Sequence, residues 1–437
     1  MKKKYITIQM LGMTALLTAC SGGSEPGTGG IDTLQQYAIT FGAADGQVEQ
    51  VTRASSTTPL SEKGYTEMKV YGYKTLNSAI QNVMPGYTMK YTSGSANSTT
   101  SNSSGWEYVG QGKDYLGNAQ EIKYWDGNSS DYRFFGVLPK TASDGTKTYP
   151  TLTYKASSAS DETVSDSWNK QSLSTDGSFT LTFSGLEYMT RKQVTTKGDD
   201  ESDVTNVAYY KADGTAVNET AIPIYCHLWQ GNPSANYSNP VTLEFVKPYS
   251  LVRLVFVRPA GSTTTQLGKE GETDTDGNIS HTHDITFGPV SSSSAIASSG
   301  NVTITYPMTG SEETYAVNAT TGSTTLSKMS LGTVTLTEQD VKYQAWPEYV
   351  MIPTNSSGST MVNGDFKCTA YIYTQNGSKQ DVFTERTAVV PAQYMQWKPG
   401  YQYTYVFKIT ANNNLEFSHV VEVYTKWQAG YVDKTTW

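Results

Sequence analysis

Cys20 is the residue whose type and position predict a defined chemical reaction. It ends the run LTAC at residues 17–20, which follows three lysines and an apolar stretch over residues 5–19. A basic start, a short apolar segment and small residues before a break are typical of a bacterial export signal. A cysteine at the break can take a diacylglyceryl group on its thiol. We therefore expect residues 1–20 to be a lipoprotein signal peptide, and Cys20 to hold the mature chain at a membrane through acyl chains.

The alternative is a plain signal peptide or a membrane helix with an incidental cysteine. The apolar run is too short to cross a bilayer comfortably, which disfavours a helix. No other segment of the sequence has the roughly 18 uninterrupted apolar residues that a membrane span needs.

An acidic stretch at residues 272–284 has part of the spacing of a metal site. Four of its residues match the first half of an EF-hand calcium loop: Glu272, Asp274, Asp276 and Gly277. The position that requires a bidentate glutamate is His283, and no helices are predicted on either side. His281 and His283 would share one face of a strand, but the sequence offers no third ligand. We interpret the stretch as an acidic solvated loop and predict no metal.

Catalytic motifs are absent from the sequence. The four histidines form no H-E-x-x-H, and there is no G-x-S-x-G, no phosphate-binding loop and no G-x-G-x-x-G after a strand. Nothing distinguishes a carboxylate pair among the 40 acidic residues, which disfavours a glycoside hydrolase. Four aromatic residues could form either a core or a sugar-stacking platform, and we favour the core: Trp106, Tyr108, Tyr124 and Trp125. We predict no enzyme activity and no cofactor.

The composition is that of an exported β protein. The 437 residues include 31 tyrosines and 38 glycines, and only 16% are charged. Tyrosine suits half-buried strands, and glycine suits the turns between them. The net charge of -8 argues against nucleic acid as a partner, because phosphate binding needs clustered basic residues. Cys226 and Cys368 could form a disulfide or remain two buried thiols, and the sequence leaves both open.

Short apolar runs with a period of two recur along the chain, and no stretch keeps a period of 3.6. These runs predict strands at 68–73, 106–109, 122–125, 132–137, 179–183, 241–245, 251–257, 285–287, 302–306, 349–353, 368–373, 401–407 and 415–427. Such strands without helical crossovers predict an all-β chain of two stacked antiparallel β-sandwich domains. The Pro-broken region 222–240 places the boundary between domains at 54–235 and 236–427.

Residues 21–53 are predicted to be a flexible tether followed by a short strand. Within residues 31–51, Tyr37, Ile39 and Phe41 alternate on one face, and a turn is predicted at Ala44-Asp45-Gly46. The following small and polar residues predict a protease-accessible loop that contains Arg53. Three of the six arginines lie in strand-like runs where a protease could not reach: Arg133, Arg253 and Arg258. An ordinary exposed arginine is the alternative interpretation of Arg53.

In order and spacing, several local motifs resemble the fimbrillin family of the Bacteroidales, the type V pilins. They are the run ending at Cys20, the strand followed by Thr52-Arg53-Ala54, Lys123-Tyr124-Trp125-Asp126 leading into Tyr132-Arg133-Phe134-Phe135, Pro240-Val241-Thr242-Leu243-Glu244-Phe245, Trp397-Lys398-Pro399-Gly400 before Tyr403-Thr404-Tyr405, and Trp427 before the tail. The resemblance covers nearly the whole chain.

The resemblance implies two tandem transthyretin-like β-sandwich domains and a lipoprotein that reaches the outer-membrane surface. An arginine-specific protease would cleave between Arg53 and Ala54 and remove the N-terminal strand. The exposed sheet edge would then receive a strand from another fimbrial subunit. The tail 428–437 is the expected donor strand, and its apolar side chains are Tyr431, Val432 and Trp437.

Other functions remain open at this level. The chain could instead be an adhesive or carbohydrate-binding lipoprotein that stays anchored at Cys20, or the tip subunit of a pilus. Its surface ligand, on a host or another bacterium, is not evident from the sequence. Neither is a position in the shaft, tip or anchor.

Overall fold

The computed structural model describes most of the region from residue 37 to residue 424. The described residues are 37–45, 60–92, 105–113, 117–142, 144–156, 162–163, 172–197, 203–258, 265–267, 285–290, 296–310, 312–319, 325–326, 329–330, 334–336, 342–344, 347–353, 364–374 and 384–424.

Strands make up nearly all of the regular structure. The first eleven are β1 (Phe41–Asp45), β2 (Glu67–Leu76), β3 (Ala79–Tyr91), β4 (Trp106–Glu107), β5 (Asp131–Val137), β6 (Lys140–Thr141), β7 (Lys147–Thr148), β8 (Thr151–Lys155), β9 (Glu162–Thr163), β10 (Ser172–Leu173) and β11 (Ser178–Glu187). The next eleven are β12 (Met189–Lys197), β13 (Asp203–Lys211), β14 (Ala216–Val217), β15 (Tyr225–Cys226), β16 (Trp229–Gly231), β17 (Val241–Val246), β18 (Ser250–Val257), β19 (Thr265–Leu267), β20 (Thr286–Pro289), β21 (Ile296–Ala297) and β22 (Ser299–Pro307). The last ten are β23 (Thr314–Ala319), β24 (Thr325–Leu326), β25 (Met329–Ser330), β26 (Val334–Leu336), β27 (Lys342–Gln344), β28 (Glu348–Met351), β29 (Phe366–Thr374), β30 (Thr384–Val390), β31 (Gln402–Ile409) and β32 (Leu415–Tyr424).

The helices are short. One turn of α-helix, α1, covers Pro233–Asn236, and 3-10 turns cover Leu60–Lys63, Glu219–Ala221 and Ala392–Tyr394. Within the described ranges no helix is long and apolar enough to cross a membrane.

The first two sheets share one core. The first sheet has the order β1-β17-β15-β5-β2-β3-β10, with β16 on β5 and β4 on β3, and the second has the order β23-β22-β11-β8-β9. Alternating burial along β22 points Val302, Ile304 and Tyr306 inward, as a period of two requires. Tyr306 stacks on Phe135 of the first sheet with ring centroids 4.1 Å apart. This contact and its neighbours pack the two sheets face to face.

The third and fourth sheets enclose a second core. The third has the order β14-β13-β12-β28-β18-β31-β32 with β27 on β18, and the fourth has β25-β20-β29-β19-β26 with β30 on β29. Phe287 of the fourth sheet contacts Tyr405 of the third, with ring centroids 5.5 Å apart. The third sheet also holds a buried ionic group, in which Glu348 lies 2.5 Å from both Arg191 and Arg253.

The prediction of an all-β chain is confirmed, whereas the tandem transthyretin-like arrangement and the domain limits stay predictions. Three large sheets combine strands from both sides of residue 235. Two ladders, β1 with β17 and β18 with β31, are parallel and not antiparallel as expected. Their strands are distant in sequence, so intervening strands supply the long connection that parallel pairing needs.

Candidate functional site

The candidate site is the groove that holds residues 37–45, the segment ahead of the predicted cleavage loop. β1 forms one end of the first sheet and pairs in parallel with β17 over five residue pairs, starting with Phe41 opposite Val241. The Val241 amide also donates to the Thr40 carbonyl, with an N···O distance of 2.8 Å. The predicted turn at Ala44-Asp45-Gly46 is wrong in its first two residues, because their backbone continues this ladder to the end of β1.

Residues 37–39 have a different partner from β1. The Ile39 amide donates to the Lys123 carbonyl at 2.8 Å, and the Trp125 amide donates to the Tyr37 carbonyl at 3.0 Å. The segment therefore changes partner along its length and fills the space between two separate stretches of backbone.

The side chains of the segment alternate between the core and the surface. Ile39 and Phe41 are fully buried, and Ala43 is 8% exposed. The Phe41 ring lies edge-on to Phe134 and to Tyr108, at centroid distances of 5.3 and 6.2 Å. Burial of an Ile or Phe side chain contributes about 1.5–3 kcal/mol. The segment is thus held by apolar side chains as well as by backbone hydrogen bonds.

The N-terminal end of the segment reaches the protein surface. Tyr37 is 38% exposed and packs against Tyr237, with ring centroids 4.5 Å apart. Of Tyr37, Ile39 and Phe41, which the sequence places on one face, only Ile39 and Phe41 are buried.

Tyr108 connects the segment to the stretch beside it. Its hydroxyl donates to the Ile39 carbonyl at 3.0 Å and accepts from the Lys123 amide at 2.9 Å. Burial raises the pKa of Tyr108, and the hydrogen bond from the Lys123 backbone only partly opposes this effect. The hydroxyl therefore stays protonated at neutral pH and remains a donor to the segment.

This arrangement is chemically suited to holding an extended strand. A row of backbone donors and acceptors beside apolar pockets for alternate side chains is how a sheet edge recognises a peptide. In the part of the chain that the structure describes, no three or more His, Cys, Asp or Glu residues are grouped as metal ligands.

One histidine outside the groove has a structural contact. His227 Nδ1 lies 2.5 Å from Glu313 Oε1, and the Leu228 amide donates to Glu313 Oε2 at 3.1 Å. Burial opposes ionisation of Glu313, but these hydrogen bonds and the nearby His227 hold its pKa below the usual range. The contact fastens the start of β23 to the first sheet.

Cys226 and Cys368 are buried free thiols, so the second of the two open alternatives is observed. Burial raises the pKa of both Cys226 and Cys368, which keeps them protonated and poorly reactive.

The core interpretation holds for three of the four aromatic residues considered as a sugar platform. Trp106, Tyr108 and Trp125 are buried, whereas Tyr124 is 45% exposed.

Several predicted site residues lie outside the described ranges. They are the lipid site Cys20, the cleavage site Arg53 and Ala54, the donor residues Tyr431, Val432 and Trp437, and the acidic stretch 272–284. Their assignments stay predictions.

The residues that receive the segment could not be found from the sequence. Tyr108 appears there as a core or sugar-platform aromatic, and Val241 as the start of a strand and as part of a family motif. Neither carries a local signal of its partner, because the contact joins regions that are distant along the chain.

No family model and no curated protein matches the chain. Solved structures do align over most of its length. A candidate cell adhesion protein from Bacteroides uniformis aligns over 89% of this chain and 97% of its own, with 12% identity and a TM-score of 0.29. Another candidate cell adhesion protein, from Bacteroides eggerthii, aligns over 91% and 98%, with 10% identity and a TM-score of 0.29.

A fimbrial protein also aligns with the chain. The tip fimbrial protein of Porphyromonas gingivalis, truncated at its C terminus, aligns over 88% of this chain and 96% of its own, with 10% identity and a TM-score of 0.22. All three TM-scores are below 0.5, so these alignments carry no argument about function.

Proposed function

We propose that this chain is a structural subunit of a cell-surface fimbria that supports adhesion. It would be exported as a lipoprotein precursor, cleaved after Arg53 and joined to other subunits by strand exchange. The position of β1 supports the proposal. β1 is an edge strand with buried side chains, and it precedes Arg53 in the chain.

The segment is held firmly enough to stay in a precursor and by few enough contacts to be replaced. Ile39 and Phe41 each contribute about 1.5–3 kcal/mol by burial. Each backbone hydrogen bond adds about 0.5–1.5 kcal/mol net. A strand from another subunit with similar side chains could make the same contacts, because the hydrogen bonds of the β1–β17 ladder involve only backbone atoms.

The burial of the other arginines favours Arg53 as the cleavage site. Four of the five arginines that the structure describes are 0–5% exposed: Arg133, Arg191, Arg253 and Arg258. The fifth, Arg386, lies within β30 and donates to the Asn413 carbonyl. A protease must bind several residues in extended form, and it finds such substrates in exposed loops. The prediction that Arg133, Arg253 and Arg258 lie in inaccessible strand runs agrees with this burial.

Cleavage would also change where the protein is held. Cys20 precedes Arg53, so one cut separates the predicted lipid from the folded domains. The precursor would belong to the outer membrane, and the cleaved subunit would belong to the fimbrium. Other subunits are the proposed partners, and the donor is the tail 428–437 that follows β32 at an edge of the third sheet.

The first test concerns the cleavage. Arg53→Ala should leave the precursor uncut and give no polymer, while the matched control Thr57→Ala, in the same loop, should be processed normally. N-terminal sequencing of shed polymer should start at Ala54. Normal polymer from Arg53→Ala would refute cleavage at this site, and polymer that starts at an acylated Cys20 would favour the anchored lipoprotein.

The second test concerns the donor strand. Deletion of residues 428–437 should leave a folded, cleaved monomer that cannot donate to another subunit. Polymers of normal length from this variant would refute the role of the tail. A misfolded monomer would show instead that the tail belongs to the core of its own subunit.

A further inference from the structure

A cavity of about 460 Å³ lies beside strands of the second and third sheets, and none of residues 37–45 lines it. Its walls include the ends of β11 and β12, the 3-10 turn Glu219–Ala221 with the residues after it, and a small hairpin. Its size is within the range of sites for small organic ligands, about 300–1,000 Å³.

The hairpin forms one wall as a separate flap. β6 and β7 pair only with each other among the described strands. Pro139 precedes the hairpin and Pro150 follows it, and both line the cavity. Proline fixes its own φ and restricts the residue before it, which limits backbone freedom where the hairpin joins the rest of the chain.

The floor of the cavity is apolar. It includes Leu138, Phe183, Leu186 and Ile222, each at most 5% exposed. The tyrosines of the lining have hydroxyl groups that are already engaged. The Tyr65 hydroxyl donates to the Glu219 carbonyl at 3.2 Å, the Tyr149 hydroxyl donates to Glu67 at 2.9 Å, and the Tyr249 hydroxyl is hydrogen-bonded to the backbone of Glu187. These rings therefore offer apolar surface and few free polar atoms to a ligand.

The rim is polar and carries a net positive charge. Lys211 is paired with Glu187 at 3.0 Å. Lys140 is exposed and forms no ion pair with any residue in the described ranges. Thr151 and Thr182, opposite each other in the β8–β11 ladder, add hydroxyl groups to the lining. An ammonium group without an ion-pair partner among the described residues, in a lining that also holds hydroxyl donors, matches a single anionic group on a ligand.

We propose that this cavity binds an amphipathic organic monoanion, with an apolar body on the floor and one carboxylate or sulfonate group beside Lys140. A sugar fits less well. Its many hydroxyl groups would lose water against a floor that cannot replace those hydrogen bonds. The proposal does not depend on strand exchange, because the cavity is separate from β1.

Decanoate is a suitable probe, used below its micelle-forming concentration with the full chain in isothermal titration calorimetry. It should bind saturably with one site per chain. Decanol lacks the charge and decyltrimethylammonium reverses it, so both should bind at least about ten times more weakly, a difference of about 1.4 kcal/mol.

Three variants locate the binding. Lys140→Met keeps the apolar stem and should weaken decanoate binding by about ten-fold. The matched control Lys147→Met removes a charge from the same hairpin, where Lys147 pairs with Glu67 and does not line the cavity, and binding should be unchanged. Ser184→Phe places a large side chain at the exposed rim and should abolish binding without unfolding the protein, as circular dichroism would verify.

Each contrary outcome overturns the proposal. Absence of saturable decanoate binding would show that the cavity is not a ligand site. Equal affinity for decanoate and decanol would show that the site does not recognise the anionic group. If Lys140→Met and Lys147→Met weaken decanoate binding equally, the loss reflects the net charge of the protein and not a contact with Lys140. Competition by a neutral oligosaccharide in place of decanoate would identify the cavity as a sugar site.

Discussion

Phe41→Ala should loosen the N-terminal segment more than any other single truncation in it. Phe41 is fully buried and contacts Phe134 and Tyr108 edge-on. Truncation of a buried phenylalanine costs about 3–5 kcal/mol, because apolar burial is lost and a cavity remains. An edge strand can detach instead of keeping the cavity, so the cost should appear as local opening of β1 and not as global unfolding.

Amide hydrogen exchange in β17 measures this opening at the amides that donate toward the segment, such as Val241, whose amide donates to the Thr40 carbonyl. A loss of about 3 kcal/mol corresponds to opening that is more frequent by about 100-fold. Thr40→Ala is the control, because Thr40 is only partly buried and surface changes usually alter stability by less than about 0.5 kcal/mol. An acceleration below about three-fold in Phe41→Ala, or an equal acceleration in Thr40→Ala, would contradict the role given to the Phe41 ring.

Other residues give further expectations. Tyr108→Phe should lower the free energy of unfolding by about 1–3 kcal/mol in urea titration, because the buried Ile39 carbonyl loses its hydroxyl donor. Despite the opposing effect of burial, hydrogen bonds and the nearby His227 lower the pKa of Glu313 in the folded state, so its contribution to stability is present above the pKa of the unfolded chain and is lost as pH falls through the folded pKa. The urea midpoint should therefore fall more steeply below pH 5 in the wild type than in Glu313→Gln. Glu348→Gln should cost about 3–5 kcal/mol, because two buried arginines lose their anionic partner. Lys211→Met removes a surface pair and should cost less than about 1 kcal/mol, which provides the matched control for Glu348.

Strands with a run of apolar side chains could be predicted from the sequence, whether burial alternates, as in β22, or is nearly continuous, as in β5 and β18. β5, β18, β22 and β31 all lie where the pattern indicates them. These strands are central in their sheets, so burial selects their composition on at least one face.

The strands that the pattern does not indicate are polar or irregular. β12 has the sequence MTRKQVTTK, and it pairs with β13 along its whole length although its outer half carries few apolar side chains. β3 contains Pro85 and Gly86, and its ladder with β2 shifts register near them. Neither residue is typical of a strand interior, and tertiary pairing overrides both preferences.

The candidate groove shows where sequence information stops. The alternation of Ile39 and Phe41 predicts a strand, and the small and polar residues after it predict a loop. The identity and direction of the partner strand are properties of the whole fold, because β17 is distant in sequence and pairs in parallel. The strand or loop preference of individual residues does not indicate which distant strand will be the neighbour.

The chain connection explains how one cut could convert a stable precursor into a subunit ready to assemble. Before cleavage, residues 46–59 tie β1 to the domain, so the strand has an effective concentration of about millimolar or higher at its own groove. A donor strand from another subunit, at micromolar concentration, would be outcompeted by about a thousand-fold, or roughly 4 kcal/mol, even with equal contacts. In the proposed assembly, a cut at Arg53 would let the segment depart and be diluted, so this advantage would be lost, while the donor would remain joined to a growing polymer. Such a switch would need no change in the groove, because only the connectivity of the strand that fills it would change.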